Sequence, residues 1–543
     1  MSVDNRNNLP YHSRWASETE IKSSLHKIDI KDSKHDAGGI PLFADSKTVY
    51  IDQTDTHSMI VGSTGSKKTR LIGMPVLQIF ARSGESFIAT DPKGELYEKT
   101  LPLLKELNYN VFVVNLRDPK KSNGWNPLLF PYKMYKSGNS NRAIELVLDM
   151  SDCIMRDSMS ERDPYWHNSA GNLLSGLIIT LFECGAENEI HFRSLRAMRG
   201  QALKNDNDSP HSSRDYTPPY IKEKFLEHLD KNVFVFSLLN GSIDAPDTTR
   251  ECIISVFDQA MRPFFCQDEL VEMLSNNDFD MAVIGKEKTA VFLVIPDENT
   301  LYYRLISVFI KQCYTVLIQE AQKHTSKKLP VRVNFLLDEF SSLPPISDFP
   351  VMITASRSRN IRFNLIVQSI NQLFRRYGND AETIRGNCEN WIFLHSREIS
   401  LLEELISLSG MKNNDQTLLS MSILQTLDKN KGEAVVFHKR LNPFIANLLD
   451  IDEYFQQIRH KEQIEYPVLK QQIQAVFDFE NFCKHKSNYF ISQLFNGKKM
   501  TEEEYCMPLK SLIMEPVFCG KADDDDESDD NDDDDDRMIT LEE

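Results

Sequence analysis

Met59-Ile60-Val61-Gly62-Ser63-Thr64-Gly65-Ser66-Lys67-Lys68-Thr69-Arg70 is the stretch whose reading decides the fold. An apolar run, His57 to Val61, enters it, and Leu71 to Ala81 leaves it with apolar residues at helical spacing, so the string reads as strand, small-residue loop and helix. Such a loop aims successive backbone N–H groups at phosphate oxygens and adds the positive end of a helix. It closes with a lysine for the terminal phosphates and a hydroxyl for magnesium. Gly62, Ser63, Thr64, Gly65, Ser66, Lys67, Lys68 and Thr69 are therefore the candidate nucleotide-binding residues, with Lys68 and Thr69 in the last two roles. The pattern asks for glycine immediately before the lysine, and this chain has Lys67 there.

Working outward, Ser86–Thr90 reads as a second strand closed by Asp91-Pro92-Lys93-Gly94-Glu95, followed by a helix to Leu107 and a strand at Asn110–Asn115. Strands alternating with helices predict an α/β fold on a mainly parallel sheet, with ligands at the carboxyl ends of the strands. Asp91 and Lys93 fall at that edge, although Pro92 and Gly94 equally suit a plain turn. Farther along, Val333–Leu337 runs into Asp338-Glu339, an aspartate for the magnesium shell and a glutamate to polarise the attacking water. Asp348 and Pro350 open a short helix towards Arg357 and Arg359, and the strand Ile361–Val367 delivers Gln368 to the same edge. Arg357, Arg359 and Arg362 also fit an ordinary solvated face. Last strands are expected at Trp391–Leu394 and Glu433–His438.

Between the two halves of this pattern, Arg142 to about Met281 shows helical periodicity, as in Asn168–Glu183 and Thr249–Arg262, broken by loops such as Asn205–Pro219. A buried strand at Ala290–Ile295 and an apolar helix at Leu301–Gln322 then resume the sheet. The chain divides into a polar N-terminal strap (1–35), a first part of the phosphate-loop domain (36–135) and an all-helical insertion (136–282). The second part of that domain (283–460), a helical extension (461–521) and an acidic tail, disordered by composition (522–543), complete it.

Of the 543 residues, 41% are hydrophobic, ample for a large core. No apolar run approaches the roughly 18 residues that cross a bilayer and the polar N-terminus lacks a signal-peptide pattern, so a soluble, cytosolic protein is expected. Nine cysteines with no CxxC pair argue against a zinc site and a disulfide framework. The net charge of −18 is unevenly held: residues 522–543 carry 14 acidic residues and one arginine, which leaves −5 for the rest. Overall acidity therefore does not exclude a nucleic-acid partner, although Lys120-Lys121, Lys327-Lys328 and Arg375-Arg376 are too short to define a groove. His167, beside Tyr165 and Trp166, reads as packing.

These strings resemble the type IV coupling proteins, the TraG/TraD kind of conjugative DNA-pumping ATPase, themselves similar to FtsK and HerA motors. The resemblance runs from Ser13 to roughly Tyr454. It rests on SRWA near the start, the phosphate loop, TDPKGELYE at 90–98, NLRDP at 115–119, WNPL at 125–128, PYWHNSA at 164–170, LLDEF at 336–340 and VQSINQL at 367–373. It implies a RecA-like ATPase domain split by an all-helical domain. Six subunits would form a ring that threads single-stranded DNA, delivered by a relaxase or relaxosome, towards the components of a type IV secretion channel. ATP and Mg2+ are the implied cofactors, with Lys68 on the β/γ-phosphates, Thr69 and Asp338 on the metal, Glu339 on the water and Gln368 sensing the γ-phosphate. Arg357, eleven residues before Gln368, matches an arginine that reaches the neighbouring subunit's site. Many members begin with two membrane-spanning helices that this sequence lacks, so attachment to the inner face of the membrane is expected through a small partner. Lys67 is the other departure, and it supports an alternative: a substrate-docking adaptor that binds nucleotide but hydrolyses it poorly.

Overall fold

Twelve strands in two sheets organise the computed structural model, which describes residues 13–155, 164–205, 218–296, 302–411, 416–455, 464–470, 474–486 and 488–494. The strands β1 (His26–Asp29), β2 (Ile40–Asp45) and β3 (Thr48–Asp52) form a small antiparallel sheet in the order β1-β3-β2. The others are β4 (His57–Gly62), β5 (Ser86–Asp91), β6 (Asn110–Asn115), β7 (Thr289–Val294), β8 (Val333–Leu337), β9 (Ile361–Val367), β10 (Cys388–His395), β11 (Glu433–His438) and β12 (Phe444–Asn447). They make one sheet ordered β12-β11-β10-β4-β9-β8-β5-β7-β6. From β10 to β6 in that order all pairings are parallel, while β11 and β12 are added antiparallel at the β10 edge. This is the mainly parallel α/β architecture that the strand–helix alternation predicts, and it agrees with the RecA-like domain that the resemblance implies.

Side chains alternate along each strand between two apolar cores. Met59 and Val61 enter one and Ile60 the other; the same split separates Phe335 and Leu337 from Leu336, and Leu365 and Val367 from Ile366. Because both faces are covered, the carboxyl halves of these strands read as apolar runs, while His57, Asn334 and Arg362 are buried nearer their amino ends. Helices Met74–Ser83 and Glu95–Glu106 cover one face, and Tyr303–Lys323 with the inserted helices covers the other. The insertion between β6 and β7 is built of helices from Leu129–Lys136 to Val283–Lys286, the longest being Pro164–Cys184 and Asp247–Cys266. Leu173–Leu174 and Leu177–Phe182 are buried on every side, which places Pro164–Cys184 at the centre of the inserted helices.

Polar residues fix the sheet at its amino edge. His57 donates from Nε2 to Ile353 O at 2.8 Å and accepts from Phe363 N at 3.0 Å, tying β4 to β9 and to the helix Phe349–Ser356. Burial holds its pKa down at about 4, so it stays a neutral strut. Arg362 does not lie on a solvated face: it is 3% exposed, pairs with Glu85, and donates to Asn334 Oδ1, Gly38 O and Thr54 O at 2.7, 3.1 and 3.3 Å.

Two stretches differ from the sequence reading. Within the N-terminal strap, the helix Glu18–Ser24 is followed by β1, whose pairing with β3 buries Ile28; four residues are too few for a readable alternation. The extension expected to be helical from 461 has no regular secondary structure over 464–470 and 474–478, and among its described residues the helices are Phe479–His485 and Asn488–Gln493. Its backbone groups are satisfied by the body instead: Glu465 O by Tyr97 Oη at 2.9 Å, Leu469 N by Lys120 O at 3.0 Å and Phe477 N by Ser194 Oγ at 3.0 Å. Expectations for residues 1–12, for most of the loop Asn205–Pro219 and for 495–543, the acidic tail included, lie outside the described residues. No described helix is long and apolar enough to cross a membrane.

Candidate nucleotide site

Parallel strands end at a common edge, and the register aligns their carboxyl ends: Gly62 beside His395, Val61 beside Val367 and Leu337 beside Leu365. Gly62, Gln368, Asp338, Glu339 and Asp91 are thereby delivered in order by β4, β9, β8 and β5. The loop after β4 folds tightly. Ser66 N donates to Ser63 O at 3.1 Å, Ser63 N to His395 O at 2.8 Å, and Gly65 has φ 81°. A Cβ on Gly62 would lie 2.4 Å from Ser66 Oγ and 2.9 Å from Lys68 Cγ, so only glycine permits this approach. Lys67 occupies the position before the lysine with φ 64°, the left-handed region that glycine adopts freely.

Two groups inside the loop lack proper partners. Ser66 Oγ is buried with no hydrogen bond, a state that costs about 1–3 kcal/mol. Lys68, 8% exposed, curls back so that Nζ donates to Gly62 O at 2.6 Å. A ligand rich in acceptor oxygens would satisfy both, which is the test a phosphate must pass here. Thr69 opens the π-helical turn Thr69–Gly73 that continues into Met74–Ser83, placing the positive end of a helix behind the loop.

The acidic groups face this loop from β8 and β5. Asp338 is 8% exposed, and burial, then the neighbouring Glu339, pushes its pKa up to about 7 against the opposing pull of Lys68. Asp91 is raised to about 6 by burial, opposed by backbone donors that include Tyr97 N at 2.9 Å. Thr90 Oγ1 donates to Asp338 O at 2.9 Å and ties the two strand ends together. Glu339 has φ 56°, a strained conformation of the kind stored at functional sites. Gln368 donates from Nε2 to Glu339 Oε1, and its Oε1 accepts from Thr64 Oγ1 at 3.3 Å, so it bridges the phosphate loop and the glutamate. Among the described residues no group of three metal-ligating side chains forms, so a cation beside Asp338 and Thr69 would need further ligands from phosphate and water.

Not every candidate meets at this edge. Lys93 is exposed on the turn after β5. Arg357 stands before the first residue of β9, at the opposite end of the strand from Gln368, roughly 20 Å away at the usual rise per residue. There its Nη1 pairs with Glu389 Oε1 at 2.6 Å. Arg359 lies beside it and donates to Ser358 Oγ.

Other residues at the edge escaped the sequence reading. His395 Nδ1 lies 2.8 Å from Ser63 Oγ; its position at the end of an expected strand was the available signal. Glu398 accepts from Ser369 Oγ, Ile370 N and Asn371 N at 3.1, 3.0 and 2.8 Å and so caps the helix Ile370–Tyr377 directly after Gln368. Lys429 and Asp450, which touch the phosphate loop, come from the turn before β11 and the segment after β12 and carry no local signature.

Known proteins share this fold. Over residues 14–407 the sequence matches the family described as type IV secretory system conjugative DNA transfer. The conjugal transfer protein TraG of Escherichia coli is 23% identical over 428 residues, 73% of this chain and 64% of that protein, so the chain spans less than two thirds of this relative's length. An uncharacterized protein of Bacillus anthracis is 30% identical over 113 residues, 20% of this chain and 42% of that one. Among solved structures, the plasmid coupling protein TrwB in complex with the ATP analogue ADPNP is similar with a TM-score of 0.56 and 15% identity, covering 85% of this chain and 97% of that one. TrwB in complex with ADP and Mg2+ is similar with a TM-score of 0.55 and 15% identity, covering 80% and 93%. At such identities the structural likeness speaks for the fold, and the family follows from the sequence match across most of the chain: this protein belongs to the type IV secretory system conjugative DNA transfer family, the type IV coupling proteins.

Proposed function

We propose that this coupling protein is an ATP-driven ring motor that receives relaxase-bound single-stranded DNA and feeds it to a type IV secretion channel. The observation that carries the reading is the bridge made by Gln368 between Thr64 of the phosphate loop and Glu339, with Lys68 and Asp338 beside it. The TrwB complexes with ADPNP and with ADP and Mg2+ support nucleotide and magnesium as the ligands. In this reading Lys68 and the backbone N–H groups of Gly62–Thr69 hold the phosphates, and Thr69 and Asp338 hold magnesium, whose charge would offset that on the phosphate oxygens. Glu339 orients and deprotonates the attacking water. Gln368, bound at both ends, reports the state of the phosphate loop to the helix Ile370–Tyr377 that begins two residues later. Arg357, remote from its own chain's site, acts on a neighbour's, so hydrolysis requires assembly. Attachment to a membrane through a small partner subunit belongs to the same proposal.

Comparing ATP hydrolysis with and without single-stranded DNA for the natural protein, Lys68→Ala and Glu339→Gln tests this. Both variants should fall by at least a hundredfold, as expected for loss of a principal charge-stabilising or general-base group. Equal, DNA-insensitive rates in all three proteins would end the motor reading. A second reading, a docking adaptor that binds nucleotide and turns it over slowly, is favoured by the left-handed Lys67 and by the curled Lys68. Lys67→Gly separates the two, since a large gain in turnover marks the natural loop as attenuated.

A further inference from the structure

β11 runs antiparallel to β10 and β12 antiparallel to β11, so the start of β11 and the end of β12 both lie at the edge where the parallel strands finish. Each delivers a charged residue to the phosphate loop. The turn into β11 places Lys429 Nζ 3.2 Å from Gly65 O. That turn is fixed by its own bonds, with Asp428 O accepting from Lys431 N and Glu433 N, both at 3.1 Å, and Asp428 N donating to Glu433 Oε2 at 2.9 Å. The segment leaving β12 places Asp450 at the other end of the loop. Its Oδ2 lies 3.8 Å from Lys67 Nζ and accepts from Arg70 Nε at 3.1 Å, while Oδ1 also meets Arg70.

We infer that Asp450 and Lys429 are positioning residues that clamp the phosphate loop at its helix end and at its tip and hold the left-handed conformation that glycine would have adopted without strain. The inference rests on the nucleotide reading above. Lys67 holds a backbone conformation that a lysine resists. The attraction of its ammonium to Asp450 opposes relaxation out of that conformation, and it turns the side chain towards β12 rather than into the space the phosphates need. Arg70, held by both Asp450 and Asp452, fixes the first turn of the helix behind the loop in the same frame. At the tip, Lys429 polarises the Gly65 carbonyl, which strengthens the N–H of the same peptide, on Ser66, as a donor. Asp450 acts through Lys67 and Arg70, and Lys429 through a peptide group; neither is assigned a contact with the nucleotide.

A double-mutant cycle tests the clamp. Affinity for a fluorescent ATP analogue with Mg2+, together with KM and kcat, is measured for the natural protein, Asp450→Asn, Lys67→Gly and the pair. Asp450→Asn is expected to weaken binding about tenfold in the natural sequence and only about threefold in the Lys67→Gly background, where the Arg70 contact alone is lost, as for directly coupled neighbours. The loss should fall on KM more than on kcat, and Asp450→Glu should recover most of it. Lys429→Met should weaken binding by about threefold, with Lys429→Arg restoring it, in line with a single polarising charge. Equal factors for Asp450→Asn in both backgrounds, together with no effect of Lys429→Met, would overturn the clamp and leave Asp450 a general structural contact. Should the folded natural protein bind no nucleotide at all, the nucleotide reading falls and the clamp with it. If it binds and Lys68→Ala abolishes binding while the cycle is additive, only the clamp falls. The Lys429 pair and Asp450→Glu keep the test decisive if Asp450→Asn does not fold.

Discussion

Replacing Asp338 with asparagine is expected to stabilise the nucleotide-free protein at pH 8 while removing its affinity for Mg2+ and nucleotide. Asp338 is 8% exposed, and burial followed by the adjacent Glu339 raises its pKa from 3.8 to about 7, so at pH 8 folding confines an ionised carboxylate that water no longer solvates. The sign follows from linkage. An acid whose folded pKa lies above its unfolded value binds its proton more tightly when folded, so the contribution to stability is greatest below about 4, declines as pH rises, and is at its least above about 7. Roughly three pKa units at ~1.36 kcal/mol each set an upper figure of about 4 kcal/mol, and relaxation around the charge brings the expected cost to roughly 2–4 kcal/mol. Asparagine removes that cost and keeps an oxygen to accept from Glu339 N, a bond of 2.9 Å. Thermal unfolding in EDTA from pH 5 to 8.5 is the assay. Asp338→Asn should melt several degrees higher at pH 8, at about 2–4 °C or less per kcal/mol for a chain this large, with the gap narrowing as pH falls below 7. Asp91, raised to about 6, titrates in both proteins and largely cancels in the difference. A variant that melts no higher at pH 8, or a gap that does not depend on pH, would refute the reasoning.

Two further outcomes are expected. Arg362→Met should cost about 3–5 kcal/mol in urea unfolding, because it removes the buried cation beside Glu85 and the donor to Asn334 Oδ1, Gly38 O and Thr54 O, leaving Glu85 with Arg332 and Asn334, and adding Glu85→Gln should recover part of that loss; additive losses would contradict it. Arg357→Ala should lower ATP turnover by about a thousandfold, and mixing it with Lys68→Ala subunits should restore activity at junctions that combine an intact loop with an intact arginine; no recovery on mixing would rule out action between subunits.

Much of the fold was legible because its signals are local. The loop Gly62–Thr69 announces itself by composition, and Asp338-Glu339 by closing an apolar run, since a parallel strand buried on both faces is mostly apolar and has to stop at the ligand edge. Gln368 follows Ile361–Val367 for the same reason. What could not be read depends on pairing between distant segments. β1 is too short to show a period, and Arg362 looks like one more surface charge until β9 places it against Glu85. In the extension beyond 461, Pro467 was a local signal against helix; the path the segment takes is set by partners such as Tyr97, Lys120 and Ser194, hundreds of residues earlier.

Lys67 shows what such distant pairing changes. Judged by the local pattern it is a defect at a position that wants glycine, and the observed φ of 64° shows that the backbone demand for glycine is still there. The loop has therefore not been redesigned around the lysine; it keeps the conformation of a glycine and accommodates a side chain with a charge. A charge can be held where a hydrogen atom cannot, and the two antiparallel strands at the β10 edge are the elements that bring Asp450 and Lys429 within reach. The conformation that glycine would have taken without strain is in this way held from outside the loop, by the sheet. Nucleotide affinity in this chain should then depend on how firmly β11 and β12 stay paired, a dependence that a loop with glycine at 67 would not have.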